Sequence, residues 1–175
     1  MAKYLLTRHA ETDYSFPAKW NTPGWGSDLA PLSKDGESQV HSKAMQIVNW
    51  NPQIAIVSPT TRTMNTALIL KQYLPIEFKV EFDLHEWVPD RYFKWNDFSQ
   101  VVSILNEMRS NNGEWPNGKE QKWESLSKVK ERTKNVMLKY LEYGRVLVIC
   151  HGGVIWSHTG IEDVGFVETR EIEYI

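Results

Sequence analysis

A chain of 175 residues with 41% apolar residues is long enough for one domain with a sizeable core and has an ordinary globular composition. Its 20 basic and 22 acidic residues nearly cancel, so bulk charge excludes a nucleic-acid binder as the first reading and any anion-binding surface must be local. The single cysteine, Cys150, excludes an internal disulfide, no CxxC or HExxH zinc pattern occurs, and no apolar run approaches the roughly 18 residues that cross a bilayer. No signal peptide is visible, so a cytoplasmic protein with neither a membrane nor a nucleic-acid partner is expected. The oligomeric state is left open.

In chain order, residues 4–7 (Tyr4, Leu5, Leu6, Thr7) form a short apolar run cut off by Arg8 and His9, the pattern of a buried strand. Residues 16–32 hold Pro17, Pro23, Pro31, Gly24 and Gly26 and are expected to be loop. Ser33 is placed as an N-cap, with Val40, Ala44, Ile47 and Val48 at helical spacing behind it. Residues 54–57 (Ile54, Ala55, Ile56, Val57) make a second apolar strand, ended by Ser58 and Pro59, and a helix over about 61–73 follows. Residues 78–84 alternate as a strand would, and 97–109 read as a helix. A polar turn region at 111–119 precedes a long helix over about 120–142. Residues 146–150 form the third continuous apolar strand, cut off by His151, Gly152 and Gly153, and 165–174 are expected to hold a last, edge strand. No repeat, linker or low-complexity tract appears, so residues 1–175 are read as a single domain.

Alternating strands and helices, with several strands apolar on both faces, predict a three-layer α/β/α sandwich with a mixed, largely parallel sheet. Ligands in such sheets bind beyond the carboxyl ends of the strands, so the polar breaks there carry the function. They supply Arg8 and His9, then Ser58 to Arg62, then His85 and Glu86, then His151 and Gly152. Two histidines, two arginines and one carboxylate make poor metal ligands but suit a phosphate dianion: arginine offers a planar fork, histidine can attack phosphorus, and a carboxylic acid can protonate the leaving oxygen. The amino ends of the helix near Thr61 and of the backbone after His151 would favour the same anion. No metal and no cofactor is implied.

These residues also carry a resemblance. Leu6-Thr7-Arg8-His9-Ala10-Glu11-Thr12 resembles the R-H-G-E motif of the histidine phosphatase superfamily, the phosphoglycerate mutase-like proteins. Leu32-Ser33-Lys34-Asp35-Gly36 resembles its L-T-x-x-G helix entry, Ser58-Pro59-Thr60-Thr61-Arg62-Thr63-Met64-Asn65-Thr66-Ala67 its S-P-x-x-R-x-x-x-T-A segment, Leu84-His85-Glu86 its L-x-E, and residues 148–155 its late V-x-H-G-G-V-I. The resemblance implies metal-independent hydrolysis of a small phosphate monoester through a phosphohistidine on His9. Arg8 and Arg62 would grip the phosphate, His151 would donate to it, and Glu86 would be the proton donor. The Gly152 amide would add a phosphate contact. Ser15 stands where many members carry a phosphate-contacting asparagine, and Ala10 replaces the common glycine. The short stretch after His151 and the modest length leave little room for a large cap, which favours a phosphatase over the rival reading, a cofactor-dependent phosphoglycerate mutase. A non-catalytic phospho-ligand or protein-binding module on the same fold is the rival from another class.

Other reactive side chains receive plainer readings. Glu11 is read as structural, His85 as pointing away from Glu86, His41 and His158 as surface or helix-face residues, Ser58 as a loop-closing hydroxyl and Cys150 as packed. Trp20, Trp25, Trp87 and Trp95, with Lys19, Arg91 and Lys94, fall in the segments that would border the site. They are read either as loop packing or as an aromatic pocket wall with a basic rim.

Overall fold

The structure is a computed structural model that describes residues 1–20, 24–95, 97–116 and 118–175, the side chains of Phe16 and Trp20 excepted. The described chain runs β1 (Ala2–Arg8), α1 (Ser15–Trp20), a 3₁₀ turn (Gly24–Leu29), α2 (Lys34–Trp50), β2 (Ile54–Val57), α3 (Thr61–Leu70), β3 (Glu77–Val80) and a second 3₁₀ turn (Phe82–Leu84). It continues through α4 (Phe98–Ser110), α5 (Leu126–Leu138), β4 (Arg145–Cys150), α6 (Gly152–Thr159) and β5 (Thr169–Tyr174).

The five strands form one sheet in the order β3-β2-β4-β1-β5, all parallel except β5, which pairs antiparallel with β1 at the edge. β4 and β1 are central, and their apolar runs are buried on both faces because helices cover both. On one face Tyr4, Leu6, Ile54, Ile56, Val146 and Val148 pack with Met108 of α4, Val129 and Val136 of α5, and Val154 of α6. On the other, Leu5, Ala55, Val57, Leu147 and Ile149 pack with Val40, Ala44 and Ile47 of α2 and Leu70 of α3. This is the expected three-layer sandwich.

Local chemistry explains the helix that enters beside the site. Ser33 caps α2 by accepting from the Gly36 amide at 2.9 Å. Gly36 is required there: a Cβ would sit 2.2 Å from the Glu11 carbonyl oxygen. The Glu11 carboxylate in turn accepts from Ser33 Oγ at 3.0 Å and from Gln39 Nε2 at 3.4 Å, which gives it the structural role expected of it.

Several boundaries differ from expectation: the helix expected to reach about residue 73 ends at Leu70, the one expected to reach about 142 ends at Leu138, and three further differences have local causes. The segment 16–32 is not all loop: α1 and the first 3₁₀ turn occupy most of it, and Pro17 falls in the first turn of α1, where helices tolerate proline. Pro23 lies outside the described residues. The strand expected over 78–84 ends at Val80, because β2, its neighbour among the described residues, ends at Val57, and the last bond runs from the Glu81 amide to the Val57 carbonyl. The helix expected from about residue 120 starts at Leu126, capped by Ser125. Residues 122–124 instead run beside 88–91, joined by Arg91 N to Lys122 O and Glu124 N to Val88 O.

Candidate active site

The parallel register places the carboxyl ends of the central strands together. Arg8 pairs with Cys150 and Val57 with Ile149, so His9, Ser58 and His151 emerge at one rim. His9 and His151 are both buried, with ring centroids 5.3 Å apart and rings edge to face. Arg62, on the first turn of α3, lies between them and is itself buried.

Hydrogen-bond partners assign the tautomers. His9 Nδ1 lies 2.7 Å from the Ala10 carbonyl, which can only accept, so Nδ1 carries the proton and Nε2 the lone pair. That lone pair receives Arg62 Nε at 3.3 Å. His151 Nδ1 receives Arg62 Nη2 at 3.3 Å, so its proton is on Nε2 and is directed to Ser58 Oγ at 2.7 Å. Burial, reinforced by the Arg62 charge, pushes both imidazoles well below the usual histidine range and keeps them neutral. Thr66 fixes the turn beside His9: its hydroxyl donates to the Arg62 carbonyl at 2.8 Å and accepts from the Ala10 amide at 3.2 Å.

Arg8 points along the other side of the rim. Its Nη1 donates to the Val164 carbonyl and its guanidinium lies 4.5 Å over the Phe166 ring. Among the described residues its buried Nε has no hydrogen-bond partner, and it faces the start of α6, where a Cβ on Gly152 would meet it at 3.7 Å. Val167, a β-branched residue at φ 54, holds the turn that sets Phe166 here, with its amide on the Arg8 carbonyl at 3.2 Å.

Glu86 reaches the site from the segment after the second 3₁₀ turn. Its carboxylate accepts from the Trp87 amide at 2.8 Å and lies 3.5 Å from the Gly153 amide. Burial raises its pKa, opposed by the Trp87 amide and, further out, by Arg62 and Arg8. Gly153 makes this approach possible, since a Cβ there would fall 2.5 Å from Glu86 Oε1. His85 turns aside as expected, with Nδ1 on the Glu86 carbonyl at 2.7 Å.

Ser15 is exposed at the start of α1, with its amide on Asp13 Oδ1 at 2.9 Å, and among the described residues no hydrogen bond joins it to His9, Arg8, Arg62 or His151. The structure adds residues that were not expected. Asp28, on the first 3₁₀ turn, pairs with Arg62 Nη1 at 2.7 Å. Ser58 is more than a loop-closing hydroxyl, because it fixes the His151 ring. No local signal marks Asp28, whereas Gly153 lay inside a recognised motif.

The aromatic residues divide. Trp87 belongs to the core, with Nε1 on the Glu124 carbonyl. Trp25, partly exposed, packs with its ring tilted against His85 at 5.9 Å and Phe93 at 5.2 Å, and Phe93 against Trp95 at 5.7 Å, so an aromatic run borders the Glu86 segment. The Trp20 side chain lies outside the described residues, Lys19 is exposed, and Arg91 and Lys94 lie over Tyr92. His41 is exposed and bonds Tyr73, Cys150 is buried with its thiol pushed up by burial, and His158 is partly buried between α5, α6 and β5 rather than on the surface. Among the described residues no group of three or more His, Cys, Asp or Glu side chains is placed to hold a metal ion, and no helix is long and apolar enough to cross a membrane.

A mostly parallel sheet with two buried neutral histidines bridged by an arginine, and a half-buried carboxyl beside them, defines a phosphatase-type α/β enzyme. The chain belongs to the histidine phosphatase superfamily (branch 1), whose family model matches residues 4–165. It is 26% identical over 158 residues to an uncharacterized phosphatase, PhoE, of Bacillus subtilis, covering 89% of this chain and 74% of that protein. It is 28% identical over 167 residues to an uncharacterized phosphoglycerate mutase family protein of Acanthamoeba polyphaga mimivirus, covering 89% and 76%. The fold superposes on a mycobacterial glucosyl-3-phosphoglycerate phosphatase complexed with VO3 at a TM-score of 0.75, with 18% identity, over 99% of this chain and 91% of that one.

Proposed function

We propose that the protein hydrolyses small phosphate monoesters in two displacements, with His9 as nucleophile and no metal. The observation that carries this reading is the His9 tautomer: Nδ1 is tied to the Ala10 carbonyl, leaving an unprotonated Nε2 beside Arg62 in a buried site. Substrate phosphate takes Arg62 Nε and Nη2 away from the two imidazoles and fills the unpaired Arg8 Nε. His9 Nε2 then attacks phosphorus, the bond to the ester oxygen breaks, and Glu86 passes its proton to the departing alkoxide. Water next gives a proton to Glu86 and attacks the phosphohistidine. The P–N bond breaks, and phosphate leaves with His9 neutral again.

His151, whose single N–H is directed to Ser58, becomes a phosphate donor when the bound dianion favours a second proton on Nδ1. The amide at the start of α6, on Gly152, adds a further donor. The partly exposed Trp25, packed near His85 and Phe93 at the edge of the Glu86 segment, suits an alcohol with a flat or apolar portion.

Brief incubation with substrate should leave acid-labile, base-stable phosphate on the protein. His9→Ala should lose both that label and turnover, and turnover should survive EDTA. A fully active His9→Ala variant overturns the mechanism, and strict dependence on an added divalent ion overturns the metal-free form of it.

A further inference from the structure

Glu86 belongs to a stretch without regular secondary structure, residues 85–88, so the sheet does not fix its position. A single guanidinium does. Arg132, on α5, donates through Nη1 to the carbonyls of Asp83 and His85 and through Nη2 to the carbonyl of Glu86 at 3.2 Å. Its other side is held by Glu124, which accepts from Nε at 2.7 Å and from Nη2 at 3.0 Å, with both side chains only about 15% exposed. Glu124 also grips the following residues directly: its carboxylate accepts from the Val88 amide at 3.2 Å and its carbonyl from Trp87 Nε1. One ion pair thus gathers the backbone on both sides of Glu86.

We propose that Arg132, braced by Glu124, is a positioning residue for the proton donor, holding the Glu86 carboxyl against the amino end of α6 and in line with the leaving oxygen. The inference rests on the reading of Glu86 as the acid. Arginine is needed because three carbonyls and one carboxylate must be met by one planar fork, which an ammonium cannot do. A carboxyl displaced by an ångström or so loses proton transfer steeply, while a phosphate gripped by Arg8 and Arg62 is untouched. The clamp therefore acts on the leaving group and not on phosphate binding.

The experiment compares kcat/KM, which reports only the steps up to phosphorylation of His9, on glycerol phosphate, whose alkoxide needs a proton, and on p-nitrophenyl phosphate, whose anion does not. Arg132→Met should lose roughly ten- to a hundredfold on the first and less than about threefold on the second, with competitive inhibition by inorganic phosphate little changed. Glu124→Gln, which keeps size and an acceptor, should show the same pattern more weakly and serves if Arg132→Met does not fold. In a Glu86→Gln background, Arg132→Met should add almost no further loss. Equal losses on both substrates, or losses that multiply with Glu86→Gln, would make Arg132 a general structural residue and overturn the proposal. Equal losses for Glu86→Gln alone would instead remove the acid role itself, a separate failure visible before either clamp variant is made.

Discussion

His9, Ser58 and His151 follow directly on β1, β2 and β4, and the ladder that pairs Arg8 with Cys150 and Val57 with Ile149 fixes them. Glu86 and Trp25, on the other side of the site, stand on short turns and irregular chain, held by side chains that reach in from elsewhere. On the proposed reading, the first is the phosphate side and the second the leaving-group side, and the phosphate side inherits its precision from the sheet. The leaving-group side borrows it from the Arg132–Glu124 pair and from glycines that permit close approach. Changes to the first side should weaken turnover of every ester alike, and changes to the second should depend on the alcohol expelled.

The largest effect should come from the phosphate side. Arg62 spreads its N–H groups over His9, His151 and Asp28, a geometry that lysine cannot reproduce. Arg62→Lys should cost on the order of 2–4 kcal/mol of transition-state stabilisation, about thirty- to a thousandfold in kcat/KM, equally for alkyl and aryl esters. A lysine variant of near-normal activity, or one selective between esters, breaks the division. On the other side, Glu86→Gln should lose about a hundredfold in kcat/KM on glycerol phosphate and only a few-fold on p-nitrophenyl phosphate, read as a steeper dependence of kcat/KM on leaving-group basicity.

Adjacent glycines at the start of α6 sharpen the contrast within one turn. A Cβ on Gly152 would meet Arg8 Nε at an ordinary 3.7 Å, whereas one on Gly153 would collide with Glu86 Oε1 at 2.5 Å. Gly153→Ala should therefore push the carboxyl aside and cost about tenfold on alkyl esters alone, while Gly152→Ala keeps its amide and should cost less than about threefold. Parallel assays of both variants on the two substrates decide it, and equal losses would mean that α6 itself had shifted.

The same division governs what the sequence discloses. β1, β2 and β4 announce themselves because strands buried on both faces must be continuously apolar, and the polar residues that interrupt them form the candidate site. Ser33 and Gly36 were legible as a helix entry, although the clash that demands Gly36 comes from Glu11, far back in the chain. What was not legible depends on distant partners. β3 stops at Val80 because β2 ends, although the alternation continues to Leu84. Trp87 looks like a rim residue until the Glu124 carbonyl draws it into the core. Asp28, Glu124 and Arg132 resemble solvated surface charges in sequence, and only the fold shows that each is paired. Ser15 was assigned by position in a motif, and α1 leaves it exposed.

The smallest expected effect tests the support beneath the phosphate side. His158, on α6, links three elements: Nε2 meets Thr133 Oγ1 of α5 at 2.7 Å, and Nδ1 meets Tyr174 Oη of β5 at 2.7 Å. Burial, with Lys130 and Lys134 adding to it, lowers its pKa to about 4. An unfolded histidine titrates near 6.5, so between about pH 6.5 and pH 4 the unfolded chain binds a proton that the folded chain refuses. The stability that neutral His158 contributes is complete above pH 6.5 and is lost as pH falls through that window. His9 and His151, also lowered, add to the loss in the same direction. Urea unfolding at pH 7 and pH 5 should show the protein weakening on acidification. His158→Gln should be less stable at pH 7, yet should lose about 1 kcal/mol less than the parent between the two values, after discounting for partial solvent screening. Identical slopes for the two proteins would mean that His158 takes up its proton without breaking the tie between α5, α6 and β5. The pH dependence would then come from the other lowered groups, His9, His85 and His151 among them.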